Sequence, residues 1–309
     1  MPSVKVTRFV TNVASWRFVD CPSCTPWSSA GAVHPRALRG LRPRVDPGSA
    51  STSTRTSRTF RSFPEPPLDG VWRAGYGVGF VPSAVLTQPG SLARHHPLGT
   101  STGALVEQRG DWEALVCEAQ RTSTFAVELA ALSAGELPEL LHFLSAAPAL
   151  PFHFISLHAP SKGRRLREKQ LVAMLLEVVR CVDAVVVHPD TIDDAARYAA
   201  LGSALVLENM DSRKHGGRTA AELAAYFAAL PQAGFCFDVA HAASVDETLA
   251  EGERLLDSFG ARLRHVHVSS LDEDCHHVPL TAADEERFAP LLRRCRDVPW
   301  ILEAPLREI

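Results

Sequence analysis

Six apolar segments in the second half of the chain each end in side chains of the kind that bind metal ions. These side chains are imidazoles or carboxylates, at His158, His188, Glu208, Asp238 with His241, His267 and Glu303. A single histidine of this kind is commonly a structural residue, but here six consecutive segments share the feature. Gathered in one place, such groups destabilise a fold unless something pairs with them, and a divalent cation pairs with several at once. The pattern therefore predicts a metal site.

Segments of strand character alternate with amphipathic segments of helical length from about residue 97 onwards. The predicted strands are Leu98–Leu105, Phe125–Leu129, Phe152–Leu157, Ala184–His188, Ala204–Glu208, Phe235–Val239, Arg264–Val268 and Trp300–Glu303. The predicted helices are Asp111–Gln120, Glu136–Leu144, Arg167–Val179, Ile192–Ala200, Thr219–Ala229, Val245–Ser258 and Ala283–Cys295. Eight strands joined by crossover helices predict a closed, parallel (β/α)8 TIM barrel. The carboxyl ends of its strands share one face, so the polar residues should meet there.

Composition and charge divide the chain at about residue 67. Residues 1–67 are rich in Ser, Thr and Arg and lack apolar periodicity, which predicts a disordered basic extension. A transit peptide and a start codon placed too far upstream are the alternatives. Residues 68–309 are predicted to form the barrel. Residues 1–64 carry a net charge of +8 and residues 65–309 a net charge of −11, which argues against a general nucleic-acid binder.

The remaining features of the chain narrow its class. No segment has the apolar length of a membrane span or the pattern of a secretory signal, so we predict a cytoplasmic protein. Seven cysteines without a dense pattern argue against a disulfide scaffold. Six residues follow Glu303, too few for an eighth barrel helix. We therefore expect either a truncated end or cover of that gap in the barrel wall by Val71–Leu92.

Three motifs resemble the xylose isomerase-like TIM barrels, a superfamily of sugar isomerases and epimerases that also contains endonuclease IV. The motifs are Val206–Asn209, Phe237–His241 and Ile301–Pro305, and the resemblance covers about residues 97–309. It implies a divalent metal (Mn, Mg, Co or Zn) held by one residue on each of strands five to eight, namely Glu208, Asp238, His267 and Glu303. It also places His158, His188 and His241 where endonuclease IV carries extra zinc ligands, with His277 as a further candidate.

Two stretches depart from the pattern of this superfamily. Many relatives have His-x-x-Asp on strand seven, where this chain has His267 followed by Ser270. Relatives also carry His-x-Pro-x-Gly, where this chain has Thr281 in place of the glycine. Endonuclease IV has an aspartate two residues before that histidine. The corresponding residue is Cys275 if His277 is aligned, or Asp274 if His276 is aligned, which puts a third zinc site in doubt.

The leading functional hypothesis is a metal-dependent sugar or sugar-phosphate isomerase or epimerase. Glu208 and Glu303 would then move a proton next to a carbonyl while the cation stabilises the enediolate. The alternatives are an endonuclease IV-like zinc phosphodiesterase acting on abasic DNA and a non-catalytic relative that binds a small molecule. The net charge of −11 on residues 65–309 disfavours the nuclease, because it would repel DNA phosphates.

Basic residues in two loops on the same face bear on the substrate. They are Lys162, Arg164 and Arg165 after strand three, and Arg213, Lys214 and Arg218 after strand five. They are candidates to bind a phosphate or carboxylate of the substrate. Solvated loops are the alternative interpretation. The sequence leaves the oligomeric state open, a homo-oligomer included.

Overall fold

The computed structural model of the protein describes residues 96–163 and 166–304. The predicted extension at 1–67, the segment Val71–Leu92 and the residues Arg164 and Arg165 lie outside the described residues, so those expectations stay predictions.

Eight parallel strands close into a barrel, as predicted. The barrel strands are β1 (Leu98–Ser101), β2 (Ala126–Ala130), β3 (Phe154–His158), β4 (Ala184–Val187), β5 (Leu205–Glu208), β6 (Gly234–Asp238), β7 (Leu263–Val268) and β10 (Trp300–Leu302). Each strand pairs with the next along the chain, and β10 pairs with β1 to close the ring. A small antiparallel hairpin, β8 (Ser270–Leu271) with β9 (His277–Val278), follows β7.

The helices surround the barrel and mostly begin at a capping side chain. They are α1 (Trp112–Thr122), α2 (Glu136–Ser145), α3 (Glu168–Val178), α4 (Ala195–Tyr198), α5 (Ala220–Ala229), α6 (Val239–Val245), α7 (Ala250–Phe259) and α8 (Ala282–Leu292). The side chains of Asp111, Thr219 and Thr281 accept a hydrogen bond from the third residue after them and so start α1, α5 and α8. Short 3-10 segments lie at Thr102–Ala104, Pro189–Thr191, Ala199–Ala204, Gly260–Arg262 and Arg293–Cys295.

Side chains alternate between two cores because successive residues of a strand point to opposite faces. The larger core lies between strands and helices and contains fully buried residues such as Leu115 of α1 and Leu175 of α3. Burying one such side chain contributes about 1.5–3 kcal/mol. The smaller core consists of inward-facing strand residues: Ala126, Phe154, Ala184, Val186, Val206, Cys236 and Ile301. These residues fill the barrel below the face at which the strands end.

Three details differ from the sequence-based expectations. The first strand ends at Ser101 rather than Leu105, because the chain turns into a 3-10 segment. The helix predicted at Val245–Ser258 begins at Ala250, and α6 precedes it directly after β6. The hairpin formed by β8 and β9 was not predicted. Within the described ranges, no helix combines the length and apolar character that a membrane crossing requires.

Candidate metal centre

Four side chains from four neighbouring strands meet at the mouth of the barrel, the face at which the strands end. Glu208 ends β5, Asp238 ends β6, His267 lies near the end of β7, and Glu303 directly follows β10. Each offers one ligand atom, and these atoms lie within 4.8 Å of one another. Glu208, Asp238 and His267 are at most 1% exposed. The set that the resemblance implies is therefore brought together in one place.

Several polar atoms in this set lack a hydrogen-bond partner. Asp238 Oδ1 accepts a hydrogen bond from the backbone N–H of His241 at 2.7 Å and so starts α6. The other oxygen of Asp238, together with His267 Nδ1 and Glu303 Oε2, makes no hydrogen bond in the described part of the chain although all three atoms are buried. Unpaired buried polar atoms are costly and normally have a partner. Two carboxylate oxygens and an imidazole nitrogen fit a divalent cation as that partner.

The carboxylate of Glu208 lies between two groups of histidines. Its Oε2 is 3.3 Å from His158 Nε2 and 3.3 Å from His188 Nε2, and these two nitrogens are 3.0 Å apart. Its Oε1 is 3.3 Å from His267 Nδ1 and 3.3 Å from His241 Nδ1. His158, His188 and Glu208 form a second group of potential ligands. Glu208 thus belongs to both groups of potential ligands. Its Oε2 faces His158 and His188, and its Oε1 faces His267.

A third group of potential ligands contains Asp238, His241 and His277. His277 Nδ1 is 2.8 Å from Ser269 Oγ and 3.4 Å from Glu303 Oε2, so this ring faces the mouth. The side chain of His276 is 69% exposed and is 3.2 Å from Asp272. His277 is therefore the histidine of the mouth. The alignment of His277 rather than His276 with the endonuclease IV histidine, and with it the correspondence of Cys275 to the aspartate, stays a prediction.

Two carboxyl groups at the mouth, Glu208 and Glu303, have pKa values shifted in opposite directions. Burial opposes ionisation of Glu208, but His267 and His188 hold its pKa well below the usual range. Burial raises the pKa of Glu303 well above its usual range, and Asp238 adds to this while His267 opposes it. Without a cation, the surroundings of Glu208 therefore favour its ionised form, and those of Glu303 favour its protonated form.

The histidines at the mouth respond to the same charges. Burial lowers the pKa of His241, but Asp238 and Glu208 outweigh this effect and raise it to about 10. Burial also opposes protonation of His267, and the surrounding acidic groups raise its pKa well above the usual value. A cation that binds these nitrogens must displace protons.

Two residues of the site were not singled out from the sequence. Asn209 donates from Nδ2 to the carbonyl of Asp238 at 2.8 Å and accepts at Oδ1 from its N–H at 2.9 Å, which fixes the ends of β5 and β6 to each other. Glu128 in β2 lies within 3.0 Å of His267 Nε2. A lone acid in the apolar segment Phe125–Leu129 was the available sequence signal for Glu128.

The predicted basic residues that the structure describes are either exposed or paired with acids. Lys162 is exposed. Arg213 pairs with Asp211 at 2.9 Å and donates to the carbonyls of Asp274 and Cys275. It therefore joins the loops that follow β5 and β7.

Two more of the predicted cations also face acids. Lys214 Nζ is 3.2 Å from Asp190 Oδ2, and Arg218 pairs with Glu222. Phosphate binding by these residues remains a prediction, because acids already accompany them in the structure.

The two departures from the superfamily pattern form one local structure. Ser270 Oγ donates to Asp284 and accepts from the N–H of Thr281 at 3.0 Å. Thr281 in turn caps α8 by accepting from the N–H of Asp284 at 3.1 Å. Ser270 and Thr281 therefore anchor the hairpin to the start of α8.

A comparison against protein families agrees with the fold. The model of the xylose isomerase-like TIM barrel matches residues 147–308, more than half of the chain. The chain belongs to this family. A comparison of this xylose isomerase-like barrel with curated proteins found no match.

Several solved structures are similar to this xylose isomerase-like barrel. D-psicose 3-epimerase from Clostridium cellulolyticum H10, solved with D-tagatose, has 15% identity and a TM-score of 0.46, over 69% of this chain and 86% of that one. The 3-keto-D-glucoside 4-epimerase from E. coli has 14% identity and a TM-score of 0.44, over 69% and 93%. The IolI protein, solved with a zinc atom, has 12% identity and a TM-score of 0.44, over 67% and 88%.

Proposed function

We propose that this xylose isomerase-like barrel is a divalent-metal-dependent isomerase or epimerase of a sugar or sugar phosphate. The observation that carries the proposal is the pair Glu208 and Glu303. Their Oε1 atoms each lie 3.3 Å from the same nitrogen, His267 Nδ1. Their pKa values are shifted in opposite directions. Two carboxyl groups whose environments separate their pKa values are suited to serve as base and acid in one reaction.

In the proposed reaction the two glutamates move protons at a carbon next to a carbonyl. Glu208, Asp238, His267 and Glu303 would hold the cation, which when bound stabilises negative charge on substrate oxygens. A Glu208 oxygen accepts the proton that leaves the substrate carbon. Glu303 in its protonated form returns a proton to the same carbon or to its neighbour. Return to the same carbon on its other face epimerises the substrate; addition to the neighbouring carbon, with transfer of the hydroxyl proton to the former carbonyl oxygen, isomerises it. Glu208 is left protonated and Glu303 ionised, and proton exchange with solvent restores both.

Proton abstraction is tested directly by solvent exchange. Candidate ketoses and their phosphates are incubated with the protein in heavy water with Mn²⁺ or Mg²⁺, and deuterium at carbon is measured. We expect exchange in the wild type. Glu208→Gln should lower it by about 10²–10⁴-fold, the loss typical of a missing general base. Glu113→Gln, which changes an exposed glutamate on α1, is the matched control. Absence of exchange with every substrate would contradict the isomerase.

A second candidate is a phosphodiesterase like endonuclease IV, which the position of Glu208 favours. A carboxylate that offers one oxygen to each of two ligand groups suits two ions that act together on a phosphate. Two or three tightly held zinc ions, combined with nicking of DNA at abasic sites, would support this candidate. One loosely held cation would support the isomerase.

The two candidates also differ in what they require of His158. Replacing His158 with Gln should abolish the nuclease and leave the cation of the isomerase bound. Neither activity in the wild type would favour a relative that only binds a small molecule. The cytoplasmic location and a homo-oligomeric state remain predictions.

A further inference from the structure

Glu128 places a carboxylate inside the barrel, below the mouth. It lies in the middle of β2 and is 0% exposed. Its inward-facing neighbours on that strand are Ala126 and Ala130, which are also buried. Burying a carboxylate opposes folding, and an apolar side chain of similar size would stabilise this position better. Glu128 therefore needs an explanation other than packing.

Three donors orient the carboxylate of Glu128. Ser101 Oγ donates to its Oε1 at 3.2 Å, and Ser156 Oγ donates to its Oε2 at 3.1 Å. The third partner is His267, whose Nε2 lies 3.0 Å from Oε2. The serines come from β1 and β3, the strands on either side of β2, and His267 comes from β7. The two hydroxyls hold the carboxylate in place, and its Oε2 then faces the imidazole.

This contact determines what each nitrogen of His267 can do. Nε2 is committed as a hydrogen-bond donor, because a carboxylate only accepts. Nδ1 lies 3.3 Å from Glu208 Oε1 and from Glu303 Oε1 and makes no hydrogen bond within the described ranges. Without Glu128, the ring could place its proton on Nδ1 and donate it to either glutamate. Its lone pair would then face away from the mouth.

We propose that Glu128 is a positioning residue: when a cation displaces the Nδ1 proton of His267, Glu128 keeps the remaining proton on Nε2, so that the Nδ1 lone pair faces Glu208, Asp238 and Glu303 as a ligand for the cation. The proposal rests on the metal centre proposed above. A second carboxylate behind a histidine ligand also makes that ligand a better electron donor. A role in cation binding at the mouth would thus explain why a carboxylate is buried at this position.

A rival use of the same ring comes from Cys236 and His265. Together with His267 they form a buried group of potential ligands. His265 makes no hydrogen bond to any described residue, and its Nε2 is 3.7 Å from Glu128 Oε2. An ion held by this trio through Nε2 of His267 would compete with Glu128 for that nitrogen. The proposal excludes that use, because it keeps Nε2 as the donor to Glu128.

Two substitutions at Glu128 test the proposal in the full chain. Glu128→Leu removes the acceptor, whereas Glu128→Gln keeps an acceptor oxygen of the same size without the charge. We expect the Kd for Zn²⁺, measured by competition with a chelator, to rise about 10–100-fold in Glu128→Leu. Glu128→Gln should recover part of that loss. Glu113→Gln, which changes an exposed glutamate on α1 far from this contact, is the control and should leave the Kd unchanged.

Two further measurements separate positioning from a merely structural role. Melting of the metal-free variants measures the structural role of Glu128, because removing one partner of a buried pair is destabilising. Positioning requires that the Kd for Zn²⁺ rise by more than the loss of stability explains. Nitrogen-15 spectra of histidine-labelled, zinc-loaded protein should show His267 bound through Nδ1 and protonated at Nε2. Glu128→Leu should weaken that signature.

Three results would overturn the proposal. One is an unchanged Kd for Zn²⁺ in both Glu128 variants. Another is zinc bound through Nε2 of His267, together with a thiolate-to-metal charge-transfer band in the cobalt form that Cys236→Ser removes. The third is a wild-type protein that binds no divalent cation. Zinc bound through Nδ1 in a protein without isomerase activity would support the role of Glu128 and contradict only the proposed reaction.

Discussion

Two layers of side chains inside the barrel come from the same strands and have opposite character. At the mouth the inward-facing residues are Glu208, Asp238, His267 and Glu303, which gather unpaired polar atoms. Two residues earlier on the same strands lie Val206, Cys236, His265 and Ile301, all 0% exposed. The separation is about 7 Å along each strand.

The comparison shows what each layer contributes. The lower layer is largely apolar and stabilises the fold through packing. The mouth layer concentrates carboxylates and imidazoles, which opposes folding until a cation or a proton compensates for the charge. Substitutions in the two layers should therefore have opposite consequences for stability and for activity.

Strand β10 offers a matched pair of substitutions, and the largest effect is expected from Glu303→Gln. The change removes the proposed proton donor and a ligand oxygen. Activity should fall about 10²–10⁴-fold. The free energy of unfolding of the metal-free protein should stay the same or rise, because Gln needs no protonation to be buried. Steady-state kinetics and urea unfolding measure the two quantities. A loss of stability that parallels the loss of activity would remove the contrast between the layers.

Ile301→Ala, two residues earlier, should show the reverse. Ile301 is fully buried in the smaller core inside the barrel, and truncating its side chain leaves a cavity. The free energy of unfolding should fall by about 2–5 kcal/mol. Urea unfolding at fixed pH measures this, and folded protein should still bind the cation with an affinity close to that of the wild type. A large loss of cation affinity without a loss of stability would show that the layers are not separable.

Histidines at opposite ends of the barrel have pKa values shifted in opposite directions. His96 precedes β1, stacks on Trp300 at 3.8 Å between ring centroids and contacts the carbonyl of Val298 through Nε2 at 2.7 Å. Burial lowers the pKa of His96 from 6.5 to about 4, whereas that of His241 at the mouth is raised to about 10. The two ends should therefore respond to acid in opposite ways.

The lowered pKa of His96 makes the folded protein less stable in acid. The folded protein keeps this ring neutral while the unfolded chain takes up a proton, so stability is full above pH 6.5 and falls as the pH drops towards 4. The loss should be about 2.5 kcal/mol at pH 4.5. His96→Phe keeps the stacked ring, and we expect it to remove this part of the pH dependence. Urea unfolding of the metal-free wild type and variant at pH 7 and pH 4.5 measures this difference. If the free energy of unfolding falls by the same amount in both proteins, His96 does not cause the loss.

The smallest expected effect separates two roles of Asp238. One oxygen caps α6, and the other makes no hydrogen bond within the described residues and is a proposed ligand atom. Asp238→Asn should lose cation binding but keep the cap, whereas Asp238→Ala should lose both. The metal-free variants should then differ in unfolding free energy by about 1 kcal/mol, the typical contribution of a cap. Equal stability of the two variants would mean that the cap contributes little here.

The barrel and its mouth follow from local sequence patterns. Apolar segments such as Ala204–Glu208 that alternate with helical periodicity predict parallel strands, and parallel strands end on one face. That is sufficient to bring Glu208 and Glu303 together without knowledge of the tertiary contacts. The roles of these residues as ligands are predictions that the metal measurements test.

Features that depend on distant contacts did not follow from the sequence. Glu128 contacts a residue 139 positions later, and nothing within β2 reveals which side chain it faces. The acids that accompany Arg213 and Lys214 lie in the loops around them, so counting the basic residues alone suggested free cations. Helix α6 begins at Val239, directly after Asp238 at the end of β6, without the intervening loop that would have marked its start.

The shared carboxylate of Glu208 has a consequence for ion loading. Because its two oxygens face different ligand groups, a cation on one side withdraws negative charge from the other side and also fixes the orientation of the carboxylate. The first effect weakens a second binding event, and the second effect favours it, so two ions would bind cooperatively or anticooperatively rather than independently. By reciprocity, an ion bound on the side of His158 and His188 changes the affinity of the Asp238 side by the same factor by which an ion on the Asp238 side changes theirs.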